Sequence, residues 1–236
     1  MHSTITKRED FAKIINELGL KTGVEVGVHR GHFSECILAN SNIEKMYSVD
    51  AWIEDQPTTR AVRKKCDRGK MELCYQETVD RLLKFGDRSI IMRELSENAV
   101  KQFDNESLDF VYLDASHMFT GYAMDLINWW EKIKWGGLFS GHDFWRKYRY
   151  DVMYATNGFC MEKKQLFFLT TEERQFPQFS PSWWLIKTKY HGKSFHHKFE
   201  DHKEFLKKQQ AEIFKNKHIM IDIPYECGSL NNGQNK

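Results

Sequence analysis

The spacing of apolar positions changes several times along the chain, and the changes divide it into alternating strands and helices. Phe11, Ile14, Ile15 and Leu18 recur at helical spacing within residues 7–18, which predicts a leading amphipathic helix. Residues 22–28 (TGVEVGV) form a short β-branched run closed by glycine, a strand signal, and 31–40 (GHFSECILAN) predict the helix after it. A second strand is expected over 45–52, a helix over 71–85 and a third strand over 88–95. A short helix follows over 96–103, with Ser96 as its expected N-cap.

Residues 108–117 (LDFVYLDASH) predict a fourth strand that is apolar almost without a break, as expected when both faces of a parallel sheet are covered. A helix over 121–134 and a fifth strand over 135–144 come next, then an antiparallel pair over 166–171 and 182–188. Strands alternating with helices predict an α/β fold: a Rossmann-like, doubly wound, mostly parallel sheet with an antiparallel C-terminal strand and right-handed crossovers. Residues 1–190 are expected to form this domain. Residues 191–236 are expected to add a basic helical extension, helical over 199–214 and frayed over 228–236.

Composition narrows the class. Of 236 residues, 41% are hydrophobic and 29% charged, which places the chain with globular rather than disordered proteins. No apolar run approaches the ~18 residues of a membrane span, and MHSTITKREDF lacks the apolar core of a signal peptide, so a cytoplasmic protein is expected. Cys36, Cys66, Cys74, Cys160 and Cys227 form no CxxC pair and cannot all be paired, which suits a reducing compartment. Net charge is +2, yet residues 187–218 hold nine Lys against four acids, together with five of the ten His. Such a segment is most simply a solvated helix face, with a phosphate-bearing partner as the alternative. His191, His196, His197 and His202 lack the Cys partners or tight spacing of a structural zinc site.

The most informative stretch lies where the first strand turns into its helix, at Glu25-Val26-Gly27-Val28-His29-Arg30-Gly31. Gly27 removes a side chain so that the backbone can approach a ligand, and Gly31 lets the helix start close to it. Asp50 ends the second strand, where a carboxylate in such folds accepts hydrogen bonds from ribose hydroxyls. A dinucleotide site wants G-x-G-x-x-G to seat a pyrophosphate. This chain instead has a carboxylate beside the turn and Gly27-x-x-x-Gly31, which repels a pyrophosphate and suits a ligand bearing an ammonium and a sulfonium.

Over roughly residues 20–190 the pattern resembles the class I S-adenosylmethionine-dependent methyltransferases. The resemblance implies that Glu25, Gly27 and Gly31 surround the methionine portion and that Asp50 holds the ribose. It also implies that Trp52 lies against the adenine, with Glu94, Leu95 and Ser96 reaching the adenine edge.

Two strand ends are unusually polar: Asp114-Ala-Ser-His117 after the fourth strand and Gly141-His142-Asp143 after the fifth. Methyl transfer from a sulfonium needs a nucleophile that is losing its proton, to a general base or under the influence of a metal. Asp114, His142 and Asp143 supply a candidate set for a divalent ion, Mg²⁺ before Mn²⁺ or Fe²⁺. Without a metal, His117 or His142 becomes the base, with Asp114 as its orienting partner. The arrangement LDASH…GG…GHDF is similar to small-molecule and sugar O-methyltransferases and to the cephalosporin-hydroxylase-like group, which use a strand-five acidic pair for magnesium. Here that pair is His142-Asp143.

The expected activity is therefore O-methylation of a polar small molecule such as a sugar, a nucleotide conjugate or a phenolic acid. Phe144-Trp145-Arg146-Lys147-Tyr148-Arg149-Tyr150 and the basic stretch from Arg60 to Lys70 are candidates for holding an anionic acceptor. The (Asn/Asp)-Pro-Pro-(Tyr/Phe) tetrapeptide of base N-methyltransferases is absent from the end of the fourth strand. A nucleic-acid methyltransferase and a non-catalytic adenosyl-binding module are the alternatives.

Overall fold

The computed structural model of the chain describes residues 5–53, 70–144, 150–170 and 180–189. The chain divides into two units, Met1–Tyr190 and His191–Lys236, and the second lies outside the described residues together with the extension expected there.

Seven strands form one sheet: β1 (Thr22–Val26), β2 (Lys45–Asp50), β3 (Ser89–Arg93), β4 (Leu108–Leu113), β5 (Ile133–Gly141), β6 (Phe168–Leu169) and β7 (Trp183–Ile186). Their spatial order is β3-β2-β1-β4-β5-β7-β6. The first five strands pair in parallel; β7 runs antiparallel to β5, and β6 antiparallel to β7. This is the doubly wound sheet that the alternating pattern predicts. Chain order reverses between β1 and β4, so the carboxyl ends of these two strands open the crevice where ligands of such sheets bind.

The helices are α1 (Phe11–Glu17), α2 (His32–Asn40), α3 (Met71–Leu82), α4 (Ser96–Ala99), α5 (Phe119–Trp130) and α6 (Asp151–Glu162). Leading residues Arg8–Asp10 form a 3₁₀ turn that runs into α1. The core lies in two layers. On one face of the sheet, Phe11, Ile14 and Ile15 of α1 and Phe33 of α2 pack on Phe110 and Tyr112. On the other, Trp129 and Trp130 of α5 and Phe159 of α6 pack on Val111, Phe139 and Trp183. Trp129 and Trp130 are thus core residues, whereas Trp135 is exposed and donates its indole N–H to Glu106.

Two local expectations need correction. Ser96 is the first residue of α4 rather than its N-cap; Leu95 holds that position, and no side chain caps it. The Ser96 hydroxyl turns into the protein instead, donating to Asp125 Oδ1 at 2.5 Å and accepting from Trp129 Nε1 at 2.9 Å. Helix α6 has no counterpart among the predicted elements. Its sequence carries Asn157-Gly158, ordinarily a turn signal, but open space around Gly158 and the buried Val152, Ala155 and Phe159 allow the helix to run through.

Among the described residues, no helix is long and apolar enough to cross a membrane.

Candidate active site

Backbone pairing continues one residue past the strands and lines up their carboxyl ends. Gly27 N–H donates to Val49 O at 2.8 Å, Asp114 N–H to Val26 O at 2.7 Å, and His142 N–H to Leu113 O at 2.9 Å. The residues that follow β1, β4 and β5 are therefore side by side at one edge of the sheet.

Gly27 is required by the backbone itself. Its φ is +93°, and a Cβ there would overlap the backbone of Asp114 and Ala115, 2.5 Å from Ala115 N. The close approach that glycine permits is to the end of β4, and it holds the two sides of the crevice together. Gly31, at φ +76°, is the left-handed N-cap of α2.

Asp50 works on the same loop. Its Oδ2 accepts from Val28 N–H (3.0 Å) and His29 N–H (2.9 Å), and its Oδ1 accepts from Trp52 N–H (2.9 Å). His29 and Trp52 both have positive φ, at 54° and 45°, conformations that side-chain-bearing residues rarely adopt. One carboxylate thus holds two strained residues in place. A carboxylate has about four acceptor positions, so this one retains capacity beyond its three backbone donors. Trp52 is only 2% exposed, with its indole N–H on His29 O (2.7 Å) and its ring against Tyr75. The Trp52 ring is thus packed against its own loop and α3. Ser96 is likewise engaged with Asp125 and Trp129.

Glu25 is 1% exposed and hydrogen-bonded by the Ser34 hydroxyl, which also lies 2.7 Å from Ser48 Oγ. Burial pushes the Glu25 carboxyl up to about 8, opposed by Arg8 and Ser34. Arg8 reaches over from the leading turn and places Nη2 3.4 Å from Glu25 Oε1 and 3.1 Å from Asp114 Oδ2. Its guanidinium lies over the rings of Phe33 (4.5 Å) and Tyr112 (5.1 Å).

At the ends of β4 and β5 the four polar residues singled out in the sequence converge. Asp143, at φ +51°, accepts from two imidazoles: His117 Nε2 lies 2.7 Å from its Oδ2 and His142 Nδ1 3.1 Å from its Oδ1. Asp114 Oδ1 is farther from both, at 3.8 Å from His117 Nε2 and 4.0 Å from His142 Nδ1. Burial alone would raise the Asp143 carboxyl, but the two imidazole hydrogen bonds outweigh it and hold the group well below the usual carboxylate range. Asp143, rather than the Asp114 expected as orienting partner, is the carboxylate within hydrogen-bond distance of both histidines. It also changes the candidate metal set: donor atoms of Asp114, His117 and Asp143 all lie within 4.8 Å of one another, so His117 takes the place expected for His142. Two carboxylates and an imidazole fit a divalent ion of the first transition row or Mg²⁺.

Arg8 and Asp125 have no part in the sequence-based site. Arg8 sits in the first turn of an amphipathic leader, and no local pattern announces a partner seventeen residues away at Glu25. Trp145, Arg146, Lys147, Tyr148, Arg149 and residues 60–69 lie outside the described residues.

Residues 24–144, about half of the chain, match a family model described as a methyltransferase domain. The chain belongs to that methyltransferase family. Among solved structures, this methyltransferase is similar to an O-methyltransferase from Bacillus cereus in complex with SAH. That match has TM-score 0.55 and 10% identity, covering 79% of this chain and 83% of the other. It is also similar to the N-methyltransferase NodS from Bradyrhizobium japonicum WM9 (TM-score 0.52, 10% identity, 77% and 95% covered). An rRNA methylase from Streptococcus thermophilus is similar as well (TM-score 0.51, 14% identity, 77% and 94% covered). No curated protein matches the sequence. The methyltransferase thus has the class I S-adenosylmethionine-dependent fold, and relatives of this shape differ in acceptor.

Proposed function

We propose that this methyltransferase moves the methyl group of S-adenosylmethionine to a hydroxyl oxygen of a small polar acceptor, with His142 Nε2 receiving the hydroxyl proton. The observation that carries this reading is the pair of imidazoles on Asp143. A carboxylate only accepts, so His142 presents its N–H at Nδ1 and keeps the lone pair on Nε2. In the reaction the C–O bond forms as the S–CH₃ bond breaks, the sulfonium becomes a neutral thioether, and the proton passes to His142. The same reading puts the methionine portion against Gly27, Gly31 and Glu25, and the ribose at the remaining acceptor positions of Asp50. A sugar, a nucleotide conjugate or a phenolic acid is the acceptor class.

The clustering of Asp114, His117 and Asp143 supports a second reading. These residues would hold a divalent cation, which when bound lowers the pKa of a coordinated hydroxyl.

One assay separates the two: release of S-adenosylhomocysteine with a panel of hydroxylated acceptors, in excess EDTA and after adding back Mg²⁺ or Mn²⁺. The first reading predicts turnover that persists in EDTA and falls at least about 100-fold in His142→Gln, the usual size of a lost general base. Turnover abolished by EDTA and restored by the ion would replace it with the metal reading.

A further inference from the structure

We propose that Arg8 recognises the carboxylate of the methionine portion of the cofactor, so that the leading turn of the chain completes the binding site. The inference rests on the cofactor reading above and extends it to a residue that lies sixteen positions before the family match begins at residue 24.

The guanidinium is only partly satisfied by the protein. Its five N–H donors sit on three nitrogens, and only Nη2 meets an acceptor, shared between Glu25 Oε1 and Asp114 Oδ2. Nε is buried with no hydrogen-bond partner, and Nη1 has none among the described residues. Leaving guanidinium donors unpaired is unfavourable, and a ligand that supplies an acceptor relieves it. The group is also held in place: Phe33 and Tyr112 lie under it, and the leading turn is anchored by Asp10, which accepts from Thr6 N–H, Thr6 Oγ1 and Lys7 N–H. The side chain is 30% exposed, and its Nη2 sits beside Asp114, the residue that follows β4.

The surrounding charges select the kind of anion. The Asp114 carboxylate lies 3.1 Å from the guanidinium and repels a simple anion such as phosphate, while the buried Glu25 carboxyl, 3.4 Å from the same nitrogen, adds a hydrogen-bonding group. A zwitterionic amino-acid end, with ammonium and carboxylate on one carbon, matches the alternation: the ammonium faces the acids while the carboxylate meets the unused guanidinium donors. Arg suits this task because its planar fork engages a carboxylate through two parallel bonds.

The test compares two ligands in the full-length protein by calorimetric titration: S-adenosylhomocysteine and its decarboxylated analogue, which keeps the amine and lacks only the carboxylate. Wild type should bind the intact ligand at least tenfold more tightly. Arg8→Met keeps an unbranched side chain beside Phe33 and Tyr112 but removes the charge and every N–H donor, and should bring the two affinities to within about threefold. Because both ligands carry the amine, the ratio cancels any change the substitution causes at Glu25 or Asp114. Arg8→Gln provides the same comparison if the Met variant does not fold. A tenfold preference retained in either neutral variant, or no preference in wild type, overturns the assignment of Arg8. Failure of wild type to bind S-adenosylhomocysteine at all is a different result and removes the cofactor reading itself.

Discussion

Asp125 and Asp50 are both carboxylates beside the ends of parallel strands, yet their surroundings use them in opposite ways. Asp50 accepts three backbone N–H groups at a partly open strand end. Asp125 on α5 is 7% exposed, and burial pushes its carboxyl from 3.8 up to about 6 although the Ser96 hydroxyl bond opposes the rise. Between these two values the folded protein retains a proton that the unfolded chain releases, so stability falls as pH rises through the window. Below it both states are protonated and Asp125 contributes nothing; above it the penalty is complete. Urea unfolding of wild type and Asp125→Asn at steps from about pH 4 to about pH 6.5 checks this. Wild type should lose stability relative to the variant as pH rises, and a constant difference would contradict the burial argument. At this scale the sequence singled out Glu25, Asp50, Asp114, His117, His142 and Asp143 from their places in and just after the strands, and the structure gathers the last three of them with Asp114 at the ends of β4 and β5. The sequence did not reveal Arg8 or Asp125. Both lie on amphipathic helical segments whose charged positions look like solvent-facing ones until the fold brings Arg8 to Glu25 and Asp114, and Asp125 to Ser96.

Among the elements, the junction of β1 with β4 is the most constrained. Gly27 has a φ that side-chain-bearing residues rarely adopt, and its backbone is pressed against Asp114 and Ala115. Gly27→Ala therefore combines backbone strain with a steric clash at a position flanked by the fully buried core. It should cost about 3 kcal/mol or more of folding stability, within the range of severe single substitutions. Denaturant midpoints of the two proteins measure this, and a change under about 0.5 kcal/mol, the size of a neutral surface substitution, would mean that the β1–β4 junction is not fixed as described. The element pattern was legible because parallel strands buried on both faces leave near-continuous apolar runs, as in residues 108–113. Helix α6 was not, since its Asn157-Gly158 pair suggests a turn and only packing against α5 and the sheet overrides it.

For the molecule as a whole, the sheet order and the family match establish a methyltransferase, while solved structures of similar shape include O- and N-methyltransferases and an rRNA methylase. The acceptor is therefore a property of the site and not of the fold. What the structure brings together is Arg8 beside Glu25 and Asp114, next to His142 on Asp143, at adjacent strand ends. If the cofactor lies in the β1–β4 crevice with its sulfur facing the His142–Asp143 pair, a crystal structure with bound S-adenosylhomocysteine will show ribose hydroxyls on Asp50, the homocysteine end against Gly27, and the sulfur turned toward Asp114 and His142. Density for the ligand elsewhere on the sheet, or in the crevice with its sulfur turned away from β4 and β5, would contradict that placement.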